Sequence, residues 1–181
     1  MSTAPTAVVE EFNASTNTIT AAAWAAGGNL NNARYSFAGA GTQTAALGFG
    51  SETSVPSSGG NDSESYNGTS WSEVNDLGTG RRDFSGMGTS TAAVAVGGFT
   101  PPGVSTFSAL VEKWDGTNWT AAPNALPTAT ASTTAWGTQT AGLVAGGYVP
   151  GTVGLTTTFE YDGTNWTSGG AMNVARAFSA S

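Results

Sequence analysis

The chain has 181 residues, enough for one domain of ordinary size, and carries a net charge of −7 with five basic residues, Arg34, Arg81, Arg82, Lys113 and Arg176. Beyond the Arg81–Arg82 pair there is no basic patch to neutralise phosphates, so neither nucleic acid nor insertion at an anionic membrane is expected. Cysteine and histidine are both missing, which excludes disulfides, thiolate metal sites and Ser-His-Asp or Cys-His catalysis.

Only 9% of residues are charged, against roughly 25% in a typical globular protein. Gly, Ala, Thr, Ser and Asn fill the gap. Six Trp and eight Phe spread along the chain argue against a disordered tail and for short strands joined by tight turns. The N-terminus, MSTAPTAVVEEF, has neither a basic start nor a signal-length apolar run, and no segment approaches the ~20 apolar residues that span a bilayer. A soluble chain is expected, with no cofactor and no bound metal.

In chain order, the first recognisable element is VEEFNASTNTIT, residues 9–20, a worn copy of a segment that recurs three times. It returns as SESYNGTSWS (63–72), VEKWDGTNWT (111–120) and FEYDGTNWT (159–167). The glutamates of these copies are Glu11, Glu64, Glu112 and Glu160, spaced by 53, 48 and 48 residues. Between them lies a second recurring element: ARYSFAGAGTQTAALGFGS (33–51), RDFSGMGTSTAAVAVGGF (82–99) and ATASTTAWGTQTAGLVAGGY (129–148). Its turn glycines are Gly41, Gly88 and Gly137, and a further copy starts at NVARAFSAS, residues 173–181. A period of this length marks a repeat architecture. The units run over residues 33–80, 81–128 and 129–172, with partial units at 1–32 and 173–181.

Each unit reads as four short strands. The first precedes GTQT; the second is TAALGFG, TAAVAVG or TAGLVAG, apolar and buried; the third carries the Glu-aromatic pair; the fourth starts at the tryptophan. GTQT and DGTN are turns, since Asp-Gly or Asn-Gly between apolar runs is a strong hairpin signal.

The unit resembles a kelch repeat. It has a Gly-Gly doublet after an apolar strand (Gly97-Gly98, Gly146-Gly147), then Glu-aromatic-Asp (Glu160-Tyr161-Asp162; Glu112 and Trp114-Asp115 around Lys113). A tryptophan stands five residues after the aromatic (Trp71, Trp119, Trp166), and an arginine opens the next unit (Arg34, Arg82, Arg176). Departures are Gly50-Ser51 in place of the first doublet, Asn17 or Ile19 where the worn copy needs tryptophan, and Thr130 in the third unit's arginine place. The resemblance implies an all-β propeller of about four four-stranded blades. It assigns Glu64, Glu112, Glu160 and the three arginines to structure, and makes the tryptophans wedges between adjacent blades. Strands three and four at the N-terminus and strand one at the C-terminus leave the shared blade without its second strand. An incomplete blade, closure by a partner chain, or a chain continuing past Ser181 would each account for that.

In a four-stranded meander, alternate connections share one end. One end holds the short repeated turns; the other receives the variable segments 51–62, 100–108 and 149–157 and the inter-unit loops. A ligand site is expected at that end, because loops on a rigid scaffold carry function. Its candidate residues are Trp24, Asp62, Asp76, Phe99 and Tyr148. Trp136 also breaks the repeat, standing where the other units have Ala40 and Met87. Asn-X-Ser/Thr sequences at Asn67, Asn118 and Asn165 fall in the repeated turn, where turn chemistry accounts for them. Glu73, Asp76 and Asp83 lie close in sequence, without a sign that they converge as glycoside hydrolysis would need. The copper-radical oxidases that share kelch blades need histidine ligands, which this chain lacks. Sialidases use an arginine triad, whereas these arginines recur in register.

Thr-, Ala-, Gly- and Asn-rich kelch-like repeats of this kind resemble proteins encoded by bacteriophages. That resemblance implies a non-enzymatic virion component: a tail fibre, appendage or capsid decoration. It would contact other virion proteins, copies of itself or host-surface glycans, and be released by lysis. The alternative is a stand-alone bacterial carbohydrate- or protein-binding propeller.

Overall fold

The computed structural model describes residues 26–53, 58–101 and 106–177. The worn first copy with Glu11, Trp24 in the loop after it, and residues 178–181 lie outside them. Every named strand is paired antiparallel, and no helix occurs among the described residues.

Sheet 1 runs β1 (Ala38–Thr42), β2 (Ala45–Thr53), β3 (Ser58–Tyr66) and β4 (Trp71–Val74), side by side in chain order. Sheet 2 repeats this with β5 (Ser85–Thr89), β6 (Ala92–Val96), β9 (Val111–Trp114) and β10 (Trp119–Ala121). Its second connection folds back as a ribbon, β7 (Phe99–Thr100) against β8 (Thr106–Phe107). Sheet 3 is β11 (Thr134–Thr138), β12 (Ala141–Ala145), β15 (Thr158–Tyr161) and β16 (Trp166–Ser168), with the ribbon β13 (Tyr148–Val149) and β14 (Thr152–Val153) in the same place. Three four-stranded sheets are therefore described, against the four blades expected.

The turns form where glycine and Asx chemistry put them. Gly41, Gly88 and Gly137 end the first strands at φ of +117°, +105° and +99°, a region that disfavours a Cβ. In the third-to-fourth turns, the Oδ1 of Asn67, Asp115 and Asp162 accepts the backbone N–H groups two and three residues on, at 2.6–3.0 Å.

The second strand of sheet 2 is apolar on both faces because each face meets a different neighbour. In β6, Ala93 and Ala95 join Leu47, Phe49, Phe84, Trp114 and Trp119 in a core shared with sheet 1. Val94 and Val96, pointing the other way, join Val111, Val144 and Tyr161 in a core shared with sheet 3. Period-two alternation within a continuous apolar run thus builds a stack, with sheet 2 in the middle.

Polar contacts repeat at both junctions. Asn75 Nδ2 donates to the Thr117 carbonyl and Asn118 Oδ1 of the next unit's turn, at 3.0 and 2.9 Å. Asn124 does the same to Thr164 and Asn165, at 3.0 and 3.2 Å. Ser36, Asp83 and Ser132 share positive φ values of +53°, +50° and +52°. The Asp83 N–H donates to the Ser36 carbonyl, and the Ser132 N–H to that of Asp83, so the three units are linked through their backbones.

The first unit departs from expectation in its second connection. Gly50 takes the first place of the doublet at φ +66°, the register shifts between Phe49 and Ser51, and pairing resumes as Ser51↔Gly60 to Thr53↔Ser58. Much of the expected loop 51–62 is therefore a strand extension past a bulge.

Candidate functional site

Two sets of functional-looking residues emerge, and they occupy different places. The first is the recurring glutamate. Glu64 on β3 pairs with Arg34, with both side chains buried, and accepts the Asn31 and Asn32 N–H groups at 2.8 and 3.4 Å. On β9, Glu112 pairs with Arg81 and accepts the Gly78 and Thr79 N–H groups at 2.7 and 3.3 Å. Each carboxylate thus pins the segment entering its own sheet. Burial pulls the Arg81 guanidinium below its usual pKa, and the adjacent Glu112 carboxylate works against that.

This corrects the repeat register. The second unit's structural arginine is Arg81, not Arg82. Arg34, Arg81, Thr130 and Arg176 each stand four residues after Leu30, Leu77, Leu126 and Met172. The N–H groups of Leu77, Leu126 and Met172 make the same backbone bond to the third strand of the sheet just completed or the residues leading into it, at Asn61, Ala109 and Thr156. In sheet 3 Phe159, not Glu160, stands in the place of Glu64 and Glu112, paired with Val144 as Glu112 is with Ala95, and Thr130 replaces the arginine. The chain is one residue shorter before its Asp-Gly turn, so Glu160 lies opposite Leu143 on the other face and is exposed. Arg176 is exposed too, and pairs with Leu155 through its backbone.

The recurring tryptophans divide by neighbour. Trp119 lies between sheets 1 and 2, 4.7 Å from the Phe49 ring, and its Nε1 donates to Ser63 Oγ at 3.1 Å. Half-buried Trp166 stacks on Tyr161 at 4.5 Å against the core shared by sheets 2 and 3. The Ser63 place is Val111 in sheet 2, and the buried Trp166 Nε1 has no partner. Trp71 lies beside Tyr66, 5.0 Å away, on the outer face of sheet 1.

The second set is a band at the variable-loop end. Isolated bridges Tyr35↔Glu52, Arg82↔Phe99 and Ala131↔Tyr148 hold equivalent places in the three units. Arg82 Nη1 lies 3.6 Å from Glu52 and 2.7 Å from Asp83, and its guanidinium covers the Phe99 ring at 5.0 Å. Phe99 meets Phe107 at 4.8 Å, Phe107 meets Tyr148 at 5.0 Å, and Phe99 meets Tyr148 at 6.3 Å. Polar groups at one end of this band grade into aromatic rings at the other.

Of the predicted ligand residues, Phe99 and Tyr148 come together here. Phe99 is buried, so it forms the floor, while half-buried Tyr148 and Phe107 are the rings a ligand could reach. Sequence reasoning misses Phe107, because its counterpart in the sheet 3 ribbon is Val153 and no repeated aromatic marks the place. Asp62 and Asp76 belong instead to the Glu64 neighbourhood. The Asp62 carbonyl accepts from Arg34 Nη1 at 2.9 Å, and the Asp76 carboxylate accepts the Ser63 N–H at 3.1 Å. Glu73 nearby is pushed above its usual pKa, first by burial and then by Glu64. No group of three or more metal-ligating side chains converges among the described residues. Trp24 lies outside those residues.

The sequence matches no protein-family model and no curated protein.

Proposed function

We propose that this chain is a non-enzymatic, kelch-like propeller scaffold serving as a structural or adhesion component of a bacteriophage particle. On this reading its variable-loop end presents the Phe107–Tyr148 rings to a partner, with host-surface glycan as the favoured ligand class. One observation carries the binding half: an aromatic pair on a buried Phe99 floor, bordered by the Glu52–Arg82–Asp83 ion cluster. Rings of this kind stack on the apolar face of a sugar while neighbouring charges hydrogen-bond its hydroxyls. The scaffold half is supported by meander sheets that repeat the same junction contacts. The recurring Glu64 and Glu112 side chains serve the fold. The particle assignment is supported by composition and the resemblance of the DGTNW units.

The test has two arms. Mass spectrometry of purified particles should recover the chain at a fixed copy number; its restriction to the non-particle fraction would overturn the virion assignment. Binding of the purified protein to host surface polysaccharide should fall at least tenfold in a Phe107→Ala, Tyr148→Ala variant. Unchanged binding, or none by the unsubstituted protein, would overturn the adhesion reading.

A further inference from the structure

The two ends of the stack differ from its middle. Facing outward from each sheet toward the next is one cross-strand pair: Ala40↔Leu47 in sheet 1, Met87↔Val94 in sheet 2 and Trp136↔Leu143 in sheet 3. Leu47, Met87 and Val94 are buried at 1%, 3% and 0%, because the next sheet covers them. Trp136 and Leu143 are 48% and 36% exposed. This face forms an open hollow in which Glu160 stands directly across from Leu143.

The receiving side of each sheet is also one cross-strand pair. It is Gly86↔Ala95 in sheet 2, Ala135↔Val144 in sheet 3 and Gly39↔Gly48 in sheet 1. In sheets 2 and 3 the neighbour presses on it: a Cβ at Gly86 would lie 2.6 Å from the Gly39 carbonyl oxygen and 2.7 Å from Phe49. In sheet 1 the same pair lines an open hollow flanked by Phe37, 40% exposed, and Trp71. The largest outward residue of the stack and its most glycine-rich receiving pair therefore stand at opposite ends. Larger Trp136 replaces Met87, which fits against Gly142, a Cβ there lying 2.5 Å from its sulfur; the sheet 1 counterpart of Gly142 is Ala46, which lines the same hollow as Gly39 and Gly48.

We infer that these two ends are a head-to-tail interface between copies of this chain, with Trp136 and Leu143 of one copy seated on the hollow that Ala46 and the Gly39–Gly48 pair line in the next. The contact continues the sheet-on-sheet stacking of both internal junctions with the same positions of the repeat. It buries the Trp136–Leu143 pair and the hollow of sheet 1, which the described residues leave open, with Glu160 beside Leu143 at the contact. Its two surfaces are different patches, so association is heterologous and yields a ring if the rotation closes and a filament if it does not. This stands independently of any ligand or particle assignment.

Sedimentation velocity of the full chain over a wide concentration range should show species at multiples of the 18.0 kDa chain mass. Trp136→Glu should leave only the single-chain species. Gly39→Glu should do the same from the opposite end; its Cβ would meet only the Leu47 carbonyl at 3.4 Å, so the fold is spared. An equimolar mixture of the two variants should recover a species of two chains, since each keeps one sound surface. Leu143→Glu repeats the first arm if Trp136→Glu melts early. The inference fails if the unsubstituted chain stays at single-chain mass throughout, as it would with its own residues 1–25 covering the face. It fails equally if the mixed variants do not recombine.

Discussion

Replacing Glu112 by Gln tests whether the recurring ion pair is interior chemistry or surface decoration. Arg81 has no exposed side-chain surface and Glu112 is 6% exposed. The guanidinium also donates to the Leu110 carbonyl at 2.8 Å, so it cannot swing out to water without breaking backbone contacts. Glutamine keeps the shape and an oxygen to accept the Gly78 N–H, but removes the charge that offsets the burial of Arg81. Breaking a buried pair from one side costs about 3–5 kcal/mol, because the remaining charge is left uncompensated. In a chain of this length each kcal/mol moves the melting midpoint by about 2–4 °C, so a drop of roughly 6–20 °C is expected. Glu160→Gln is the internal control: that carboxylate is exposed and stands at the place of Lys113 rather than of Glu112, so its loss should stay within about 0.5 kcal/mol. Urea denaturation of both variants reads the difference. A loss for Glu112→Gln below about 1 kcal/mol, the size of a solvent-exposed bridge, would refute the assignment of a buried pair.

Trp119→Phe should cost about 1 kcal/mol more than Trp166→Phe, because only the first strands a hydrogen-bond partner, Ser63 Oγ; equal losses in urea would contradict this. Gly86→Ala should destabilise by about 1–3 kcal/mol through overpacking at the sheet 1–2 junction, while Gly170→Ala, with open space around it, should be near neutral by thermal melting. The backbone N–H groups of Asn118 and Thr117 hold Asp115 below the usual carboxylate range, and those of Asn165 and Thr164 do so for Asp162. Their stabilisation is therefore present above about pH 4, the unfolded value, and is lost as pH falls through the lower folded value. Asp115→Asn with Asp162→Asn should flatten the acid limb of a stability–pH curve, since Asn67 makes the same turn in sheet 1 without a charge. An unchanged limb would place the acid sensitivity elsewhere.

The architecture is legible because its signals are local and repeated. Asx-Gly turns and two-faced apolar strands each determine structure within a few residues, and recurrence at about 48 residues removes the ambiguity of any single copy. Alignment across small insertions is where sequence reasoning fails. Arg81 and Arg82 are adjacent, and aligning on the aromatic after them picks the wrong one. The leucine four residues before Arg34 and before Arg81 picks correctly; the Leu77 N–H bonds to the Asn61 carbonyl and so fixes the start of the segment that Glu112 pins. The candidate site is only half legible. Phe99 and Tyr148 come directly after the glycine doublets and can be placed, whereas Phe107 reaches them from a place where the sheet 3 ribbon has Val153 and no aromatic recurs. Asp62 and Asp76 look available by sequence position, yet backbone contacts draw both into the Glu64 neighbourhood.

The Asn75 and Asn124 clasps have a bearing on how such a chain can change over generations. Each reaches only into the turn of the following unit, and that turn repeats nearly unaltered down the chain. A duplicated unit would arrive already carrying both the grip and the thing gripped. Growth or loss by whole units is then an inexpensive genetic event, while an insertion inside a clasped turn is not. Lineages of this chain should accordingly differ in unit number and in the 100–108 and 149–157 segments long before they differ in Asp-Gly-Thr-Asn.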